Sequence, residues 1–258
     1  ITFEGNNTTS ADYKFINTVY GYDVTISDFH IINTDTCVEW KARNGIIINS
    51  SFTSKDHVAF NLTGENLTIC DSSFTGNGNG ALYVDASGLE LRNCTFNNNN
   101  ISSGVGSHIV LTENANNTRI IDSRFINGTN TGVLVNATGV SISGSNFTDN
   151  SGVNGGALLL SNGTLSMSGN NFTYNKADVD GGAVYLENGT LEDAWGNDFW
   201  HNRADRDGGA LYTNIPVVMD GGVFFNNSAV CGGGIYLNNT NNTLSNMEFN
   251  NNTAVNGS

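Results

Sequence analysis

The segments NFTYNKADVDGGAVYL (171–186) and DFWHNRADRDGGALYT (198–213) repeat one pattern at an interval of 27 residues. Both keep a phenylalanine, an asparagine three residues later, two aspartates and a Gly-Gly pair that precedes an apolar run. Self-similarity at a nearly fixed period is typical of architectures in which each repeat packs only against its neighbours. The two segments therefore predict a solenoid.

A phenylalanine recurs along the chain at intervals of 22–29 residues, and in seven cases an asparagine follows three residues later. Glycine-led apolar runs such as GALYV (80–84) and GGALLL (155–160) stand between successive phenylalanines. The pattern predicts about ten copies of one unit in a single segment, 1–258, which is regular over 147–258 and degenerate over 1–146. The predicted ladder residues are Phe29, Phe52, Phe74, Phe96, Phe125, Phe147, Phe172, Phe199, Phe224 and Phe249.

The apolar runs are short and place apolar residues two positions apart, as at Leu89 and Leu91 and at Val140 and Ile142. A period of two indicates β-strands, whereas asparagine and glycine are poor helix formers. Each unit is predicted to form three short strands, and stacked units form parallel sheets with a spacing of about 4.8 Å. The predicted fold is an all-β, right-handed parallel β-helix, a three-sided solenoid.

Each conserved position of the repeat has a predicted structural role. The phenylalanine stacks on its copies inside the solenoid, the asparagine forms hydrogen bonds at a corner, and Gly-Gly supplies unusual backbone dihedral angles. The chain starts and stops within the pattern, with no unit typical of a terminal cap, so we expect a segment of a longer protein.

The charge balance argues against one class of partner. The chain carries 24 acidic and 10 basic residues, a formal net charge of −14. Because nucleic-acid binding depends on lysine and arginine side chains that neutralise phosphates, no nucleic-acid partner is predicted. No run of 18 apolar residues occurs, so no membrane span is predicted in this segment.

The chain contains 19 N-x-S/T sequons among 43 asparagines. One interpretation is a secreted glycoprotein; the other is that tight turns favour asparagine, serine and threonine together. The predicted glycosylation sites are Asn49, Asn66, Asn116, Asn127, Asn136, Asn162, Asn188, Asn238 and Asn241.

The paired motifs GGAVYL (181–186) and FWHN (199–202) resemble the GGA(I/L/V) and FxxN repeats of chlamydial polymorphic outer-membrane proteins. The Asn/Thr-rich stretch GIYLNNTNNTLSNMEFNNNTAVNGS (234–258) is similar to adhesin-like surface proteins of methanogenic archaea. The resemblance implies an extracellular or cell-surface location and adhesive or structural work. Its expected partners are host, neighbour-cell or surface glycans and proteins, neighbouring segments of the same protein, or further copies of it.

Four aspartates are not explained by folding. The repeat places Asp178 beside Asp205 and Asp180 beside Asp207 in successive coils. Stacked carboxylates about 5 Å apart repel each other by about 3–4 kcal/mol at an effective dielectric of 20. Three arrangements would offset or use this repulsion: ion pairs with nearby lysine and arginine, a bound Ca²⁺, or a catalytic carboxylate pair. Calcium is the only cofactor that the sequence suggests.

Carbohydrate is a candidate ligand. Trp195, Trp200 and His201 lie on the coil that carries Asp205 and Asp207, and an exposed tryptophan can stack on a sugar ring. The alternative is that at least one tryptophan fills the core. The sequence NTD (33–35) occurs in polygalacturonase-like enzymes of this fold, but their Asp-Asp and Gly-His-Gly companions are absent. We therefore expect a non-enzymatic surface rod; the alternatives are a carbohydrate-binding or pectate lyase-like module and a Ca²⁺-stiffened stalk.

The remaining reactive side chains show no metal-site spacing. The cysteines are far apart and are predicted to be small buried thiols, whereas the histidines are predicted at turns or on the surface. The residues concerned are Cys37, Cys70, Cys94, Cys231, His30, His57, His108 and His201.

Overall fold

A computed structural model describes residues 2–4, 14–18, 20–34, 36–54, 57–101 and 106–256. The described chain is all-β, and its strands stack in parallel into a solenoid of about nine turns with three sheets. The predicted three-sided parallel β-helix is therefore confirmed, and the hand of its winding stays a prediction. Asp35 of the NTD sequence and the side chain of Cys37 lie outside the described residues.

The first sheet contains the phenylalanines and is called the Phe sheet. All its strands are parallel and are three to five residues long. Its eleven strands are Thr2–Glu4, His30–Thr34, Ser51–Ser54, Ser73–Thr75, Thr95–Asn97, Arg124–Ile126, Asn146–Thr148, Asn171–Thr173, Asp198–Trp200, Val223–Phe225 and Glu248–Asn250.

The second sheet has 18 strands and consists of two ladders, which join because two long strands belong to both. The ladder of the glycine-led runs contains Lys14–Asn17, Thr36–Trp40, Phe60–Leu62, Leu82–Val84, Ile109–Leu111, Val133–Ser143, Leu158–Ser168, Val184–Leu186, Leu211–Thr213 and Ile235–Leu237. The other ladder shares the two long strands and adds Thr25–Ser27, Ile46–Ile48, Thr68–Cys70, Glu90–Arg92, Arg119–Ile121, Thr190–Trp195, Val218–Asp220 and Thr243–Ser245.

A third, five-stranded sheet lies between the Phe strand and the glycine-led run in the C-terminal coils. Its strands have only two residues each, and the sequence analysis did not predict them. They are Ser151–Gly152, Lys176–Ala177, Arg203–Ala204, Ser228–Ala229 and Thr253–Ala254.

Nine phenylalanine rings form one column inside the Phe sheet, from Phe52 to Phe249. Successive ring centroids are 4.5–5.0 Å apart, and their planes differ by 4–21°. All are fully buried except Phe249, which is 49% exposed in the last described coil. Phe29 is not part of the column: Ile31 pairs with Phe52, and Phe29 lies at the preceding corner. The prediction was wrong for Phe29 because, in the sequence Phe29-His30-Ile31, the residue that points into the core is Ile31.

Strand alternation explains why the rings point inward. The Phe strands show a buried residue between two more exposed neighbours, as in Asn146, Phe147 and Thr148. Burying one phenylalanine contributes about 1.5–3 kcal/mol by transfer from water, and ring stacking adds about 0.5–1.5 kcal/mol. The column is therefore a continuous apolar core along the axis.

Replacing Phe147 with alanine is expected to lower the free energy of unfolding by about 3–5 kcal/mol, because the two neighbouring rings lose a partner across a cavity. Urea unfolding followed by circular dichroism measures the change. Thr148→Ala on the outer face is the control and should stay within about 0.5 kcal/mol of the parent. A loss below about 1 kcal/mol in Phe147→Ala would contradict the buried column.

The two glycines of the Gly-Gly pair have different roles. The first, such as Gly181, has φ +63°, a left-handed conformation that glycine adopts without a steric penalty. The second, such as Gly182, has an ordinary φ, but a Cβ there would lie 2.1 Å from the Gly209 carbonyl oxygen of the next coil. The second glycine is therefore required for close backbone approach.

A column of asparagine side chains accompanies the phenylalanine column at the following corner. Asn150 Nδ2 donates to the Phe125 carbonyl of the preceding coil and to Asn175 Oδ1 of the next coil, both at 3.0 Å. Asn175 Oδ1 also accepts the Asn150 backbone N–H at 3.1 Å. Asn175 donates in turn to the Phe147 carbonyl and to Asn202 Oδ1, so its carboxamide makes four hydrogen bonds, the full capacity of its two N–H groups and two lone pairs. The pattern continues through Asn175, Asn202, Asn227 and Asn252.

One interruption of this column is filled by a histidine. Gly128 stands where the repeat needs asparagine, and the buried imidazole of His108 bridges the gap. Nδ1 accepts from Asn99 Nδ2 at 3.0 Å, and Nε2–H donates to Asn150 Oδ1 at 2.9 Å. His108 occupies the inward position that is Ala81 in the preceding coil, and Gly132 at this position of the following coil leaves room for the ring. The prediction of a turn or surface histidine was therefore wrong for His108.

Exchanging the histidine for the missing asparagine should rebuild the column. Gly128→Asn alone clashes, because a Cβ at Gly128 would lie 2.5 Å from both His108 Nε2 and Ser107 Oγ; the serine hydroxyl can rotate to another rotamer, whereas the packed imidazole cannot. His108→Ala alone leaves a cavity and an unpaired buried amide. The double variant should recover stability, with a favourable coupling of about 2 kcal/mol in a double-mutant cycle from urea unfolding. Additive losses would contradict the exchange.

Acid is expected to destabilise the protein through the same histidine. Burial lowers the pKa of His108 from 6.5 to about 4. Between these values the unfolded chain binds a proton that the folded chain does not, so stability falls as pH decreases from 6.5 to 4. The loss is about 3 kcal/mol and ends below pH 4. Unfolding measured from pH 7 to pH 4 should show this component in the parent and not in His108→Ala/Gly128→Asn; equal slopes would contradict it.

Candidate functional site

Two of the aspartates predicted as metal ligands lie in an exposed network of ion pairs. Lys176 Nζ is 2.9 Å from Asp178 Oδ1 and 3.6 Å from Asp205 Oδ2 of the next coil. Arg203 Nη2 is 3.0 Å from Asp205 Oδ1. A lysine thus lies between the two stacked carboxylates and offsets the repulsion that the repeat creates.

The other two aspartates lie beside an arginine. Asp180 is 1% exposed, and Arg206 of the next coil binds both its oxygens, through Nε at 2.8 Å to Oδ1 and through Nη2 to Oδ2. The backbone N–H of Asp207 also donates to Asp180 Oδ1. The hydrogen bond from Asp180 raises the pKa of Arg206 above its usual value. This bidentate pair ties successive loops together.

The four aspartates therefore take the arrangement of local ion pairs, one of the three alternatives from the sequence. Within the described ranges, no three His, Cys, Asp or Glu side chains form a group that could hold a metal ion. The calcium site and the catalytic pair stay predictions without geometric support at Asp178, Asp180, Asp205 and Asp207.

The two tryptophans predicted to bind glycan lie on different sheets. Trp195 is 59% exposed and ends a strand of the second sheet, where it pairs with Ser168 and Asp220. Trp200 is half-buried on the outer side of the Phe sheet. The expectation that one of them fills the core was wrong; Trp40 is fully buried instead.

Trp200 and His201 belong to a group of four rings, which we call the outer aromatic cluster. Its other members, Tyr174 and Phe225, come from the preceding and following coils. The Tyr174 and His201 rings stack at 4.9 Å, the Trp200 and Phe225 rings lie 5.1 Å apart, and His201 meets Phe225 edge to face at 5.7 Å. The sequence analysis missed Tyr174 and Phe225; aligning the two positions after each ladder phenylalanine would have shown them.

The cysteines only partly match their prediction. Cys94 is buried, and desolvation raises the pKa of its thiol to about 11. Cys70 and Cys231 are half-buried, because each lies near a corner instead of an inward position. All three are free thiols. His30 and His57 are exposed, as expected.

Seven of the nine predicted glycosylation sites lie between strands, and the other two, Asn136 and Asn162, lie within the two long strands. Asn49, Asn127 and Asn241 are exposed and have positive φ. Asn116 and Asn136 are half-buried. Exposed sites among the nine are Asn49, Asn66, Asn127, Asn162, Asn188, Asn238 and Asn241.

Comparisons with protein families, curated proteins and solved structures find no match to this chain. The resemblance to chlamydial and archaeal surface proteins therefore rests on the repeat motifs alone. In the described part of the chain, no helix has the length and apolar character needed to cross a bilayer.

Proposed function

We propose that this chain is a non-enzymatic β-helical rod of the cell surface or extracellular space, with a structural or adhesive role and with N-linked glycans at its corners. About nine turns at about 4.8 Å per turn give a rod of about 40–45 Å. The ion-paired state of the four aspartates supports a role without catalysis.

The observation that carries the proposal is the accessibility of the asparagines that belong to sequons. Of the 19 sequon asparagines, 17 are described, and none of them is buried. By contrast, the buried asparagines have no sequon. They are Asn77, Asn99, Asn150, Asn170, Asn175, Asn197, Asn202 and Asn227.

Folding accounts for the absence of sequons at most buried asparagines, because the residue two positions after six of the eight is an inward phenylalanine, alanine or glycine. Turn preference explains asparagine at a corner, but it does not require serine or threonine two residues later. A glycan can be attached only where the side chain is accessible, so a glycoprotein needs sequons outside the core. The accessibility of all 17 described sequon asparagines therefore supports glycosylation, whereas the absence of sequons from the core follows from folding.

Secretion from a eukaryotic host with N-glycosylation machinery tests the proposal. We expect peptide mass spectrometry to find glycans on several of the nine candidate sites, including Asn188 in its exposed turn. Thr190→Ala removes that sequon from an exposed position and should remove one glycan mass without changing secretion.

Two results would contradict the proposal. A secreted, folded chain without any glycan would contradict the glycoprotein part. Cleavage of an acidic polysaccharide that is lost in Asp205→Asn would contradict the non-enzymatic part and favour the lyase-like alternative.

A further inference from the structure

We propose that the outer aromatic cluster binds a neutral glycan built of pyranose sugars, with Tyr174, Trp200, His201 and Phe225 as its stacking surface. This inference rests on the proposed extracellular role and names the partner. The binding mode is stacking of the apolar face of a sugar ring on aromatic rings, with hydrogen bonds from sugar hydroxyls to the polar rim.

The first argument is that two of these rings stand where the fold favours other residues. Their corner position has left-handed backbone in each coil from Phe74 to Phe249, with φ 56° at Tyr174 and 58° at His201. This conformation disfavours bulky side chains and suits asparagine, aspartate and glycine. Other coils have those types at the same corner: Gly76, Asn98, Asn127, Asp149, Asn226 and Asn251.

Strain at exposed side chains indicates a role outside folding. A bulky residue in this backbone region costs about 1 kcal/mol or more, and Tyr174 is 55% exposed, so burial offsets little of that cost. Trp200 and Phe225 likewise replace the threonine found at Thr148 and Thr173 on the outer face of neighbouring strands.

The second argument is the shape of the cluster. The rings belong to three successive coils and pack against one another at 4.9–5.7 Å. They form a ledge on the outer side of the Phe sheet. A ledge of this kind suits a chain of sugar rings, which needs stacking faces and an open path for the next residue.

The third argument is the polar rim. Asn226 Nδ2 lies 3.2 Å from His201 Nδ1, so an amide borders the rings directly. Asn171 is exposed on the same sheet face and bonds to Asn146. Carboxamides and threonine hydroxyls both donate and accept, as sugar hydroxyls require.

Charge selects a neutral glycan over an acidic one. Asp149 and Asp198 flank the ledge, and the nearest cations, Lys176 and Arg203, are paired with aspartates. The chain as a whole has a formal charge of −14. An acidic polysaccharide would therefore be repelled by the two flanking aspartates and by the net negative charge of the chain.

The test uses the whole chain produced without N-linked glycans, so that its own sugars cannot cover the ledge. Binding of cellohexaose, mannohexaose and chitohexaose is measured by isothermal titration, with hexagalacturonate as the acidic comparison. We expect at least one neutral hexasaccharide to bind and to quench tryptophan fluorescence, and hexagalacturonate to bind at least tenfold more weakly.

The variants replace each ring with the residue type that the fold uses at that position. Tyr174→Asn and His201→Asn remove backbone strain, so both should fold at least as stably as the parent. Trp200→Thr and Phe225→Thr follow the outer-face pattern. Each of the four should weaken binding about tenfold or more, as loss of a central aromatic contact does.

Trp195→Ala is the matched control. This exposed tryptophan makes no ring contact with the cluster in the described structure, so its removal should leave binding unchanged. Loss of binding in Trp195→Ala with retention in Trp200→Thr would overturn the assignment of the site.

Absence of binding to every neutral probe by the folded parent would overturn the inference. That result leaves the glycosylated rod intact, because glycan occupancy at the corners is measured separately by mass spectrometry. Stronger binding of hexagalacturonate than of the neutral probes would also overturn it, since the charge argument would then be wrong.

Discussion

The structure depends on satisfying buried polar groups at each corner of the coil. A parallel solenoid buries the backbone amides and carbonyls where one strand ends, and an unpaired buried group costs about 1–3 kcal/mol. The asparagine column meets this requirement: each carboxamide joins the carbonyl of a ladder phenylalanine in one coil to the asparagine of another. Because the apolar and polar columns lie side by side, slippage of one coil would break both at once. Their register therefore fixes which side chains reach the surface.

The same constraint explains where the molecule can vary. Inward positions accept few residues, and a departure needs compensation, as where His108 replaces alanine and Gly128 replaces asparagine. Outer positions of the Phe sheet carry no such restriction and hold small polar, charged and aliphatic residues and, in two successive coils, the aromatic residues Trp200 and Phe225. The ion pair of Arg206 with Asp180 is restricted in the same way as the inward positions, since it ties two loops together. The aromatic cluster and the sequons lie at unrestricted outer positions, and both are accessible for binding or modification.

Most of the fold could be predicted because the repeat shows which residues of successive coils are aligned with one another. Once the phenylalanines are aligned, the positions of strands, corners and the asparagine column follow. The short third sheet was missed because two-residue strands leave no alternation to detect. Phe29 was wrongly placed in the column because spacing alone does not show which residue of a strand points inward. At the candidate site, the sequence paired the aspartates correctly but could not show which cation each one faces. It grouped Trp195 with Trp200 by proximity along the chain, although a corner separates them.

Hydrogen exchange of asparagine side-chain amides tests the central claim most directly. With ¹⁵N-labelled asparagine, NMR resolves the Nδ2 groups and follows their exchange after transfer to D₂O. The account predicts slow exchange for Asn150, Asn175, Asn202 and Asn227, whose N–H groups are buried and fully bonded, and fast exchange for exposed Asn162 and Asn188. Exchange of all side-chain amides within the dead time of a folded sample would contradict the column, and with it the reason why the coils stack in this register.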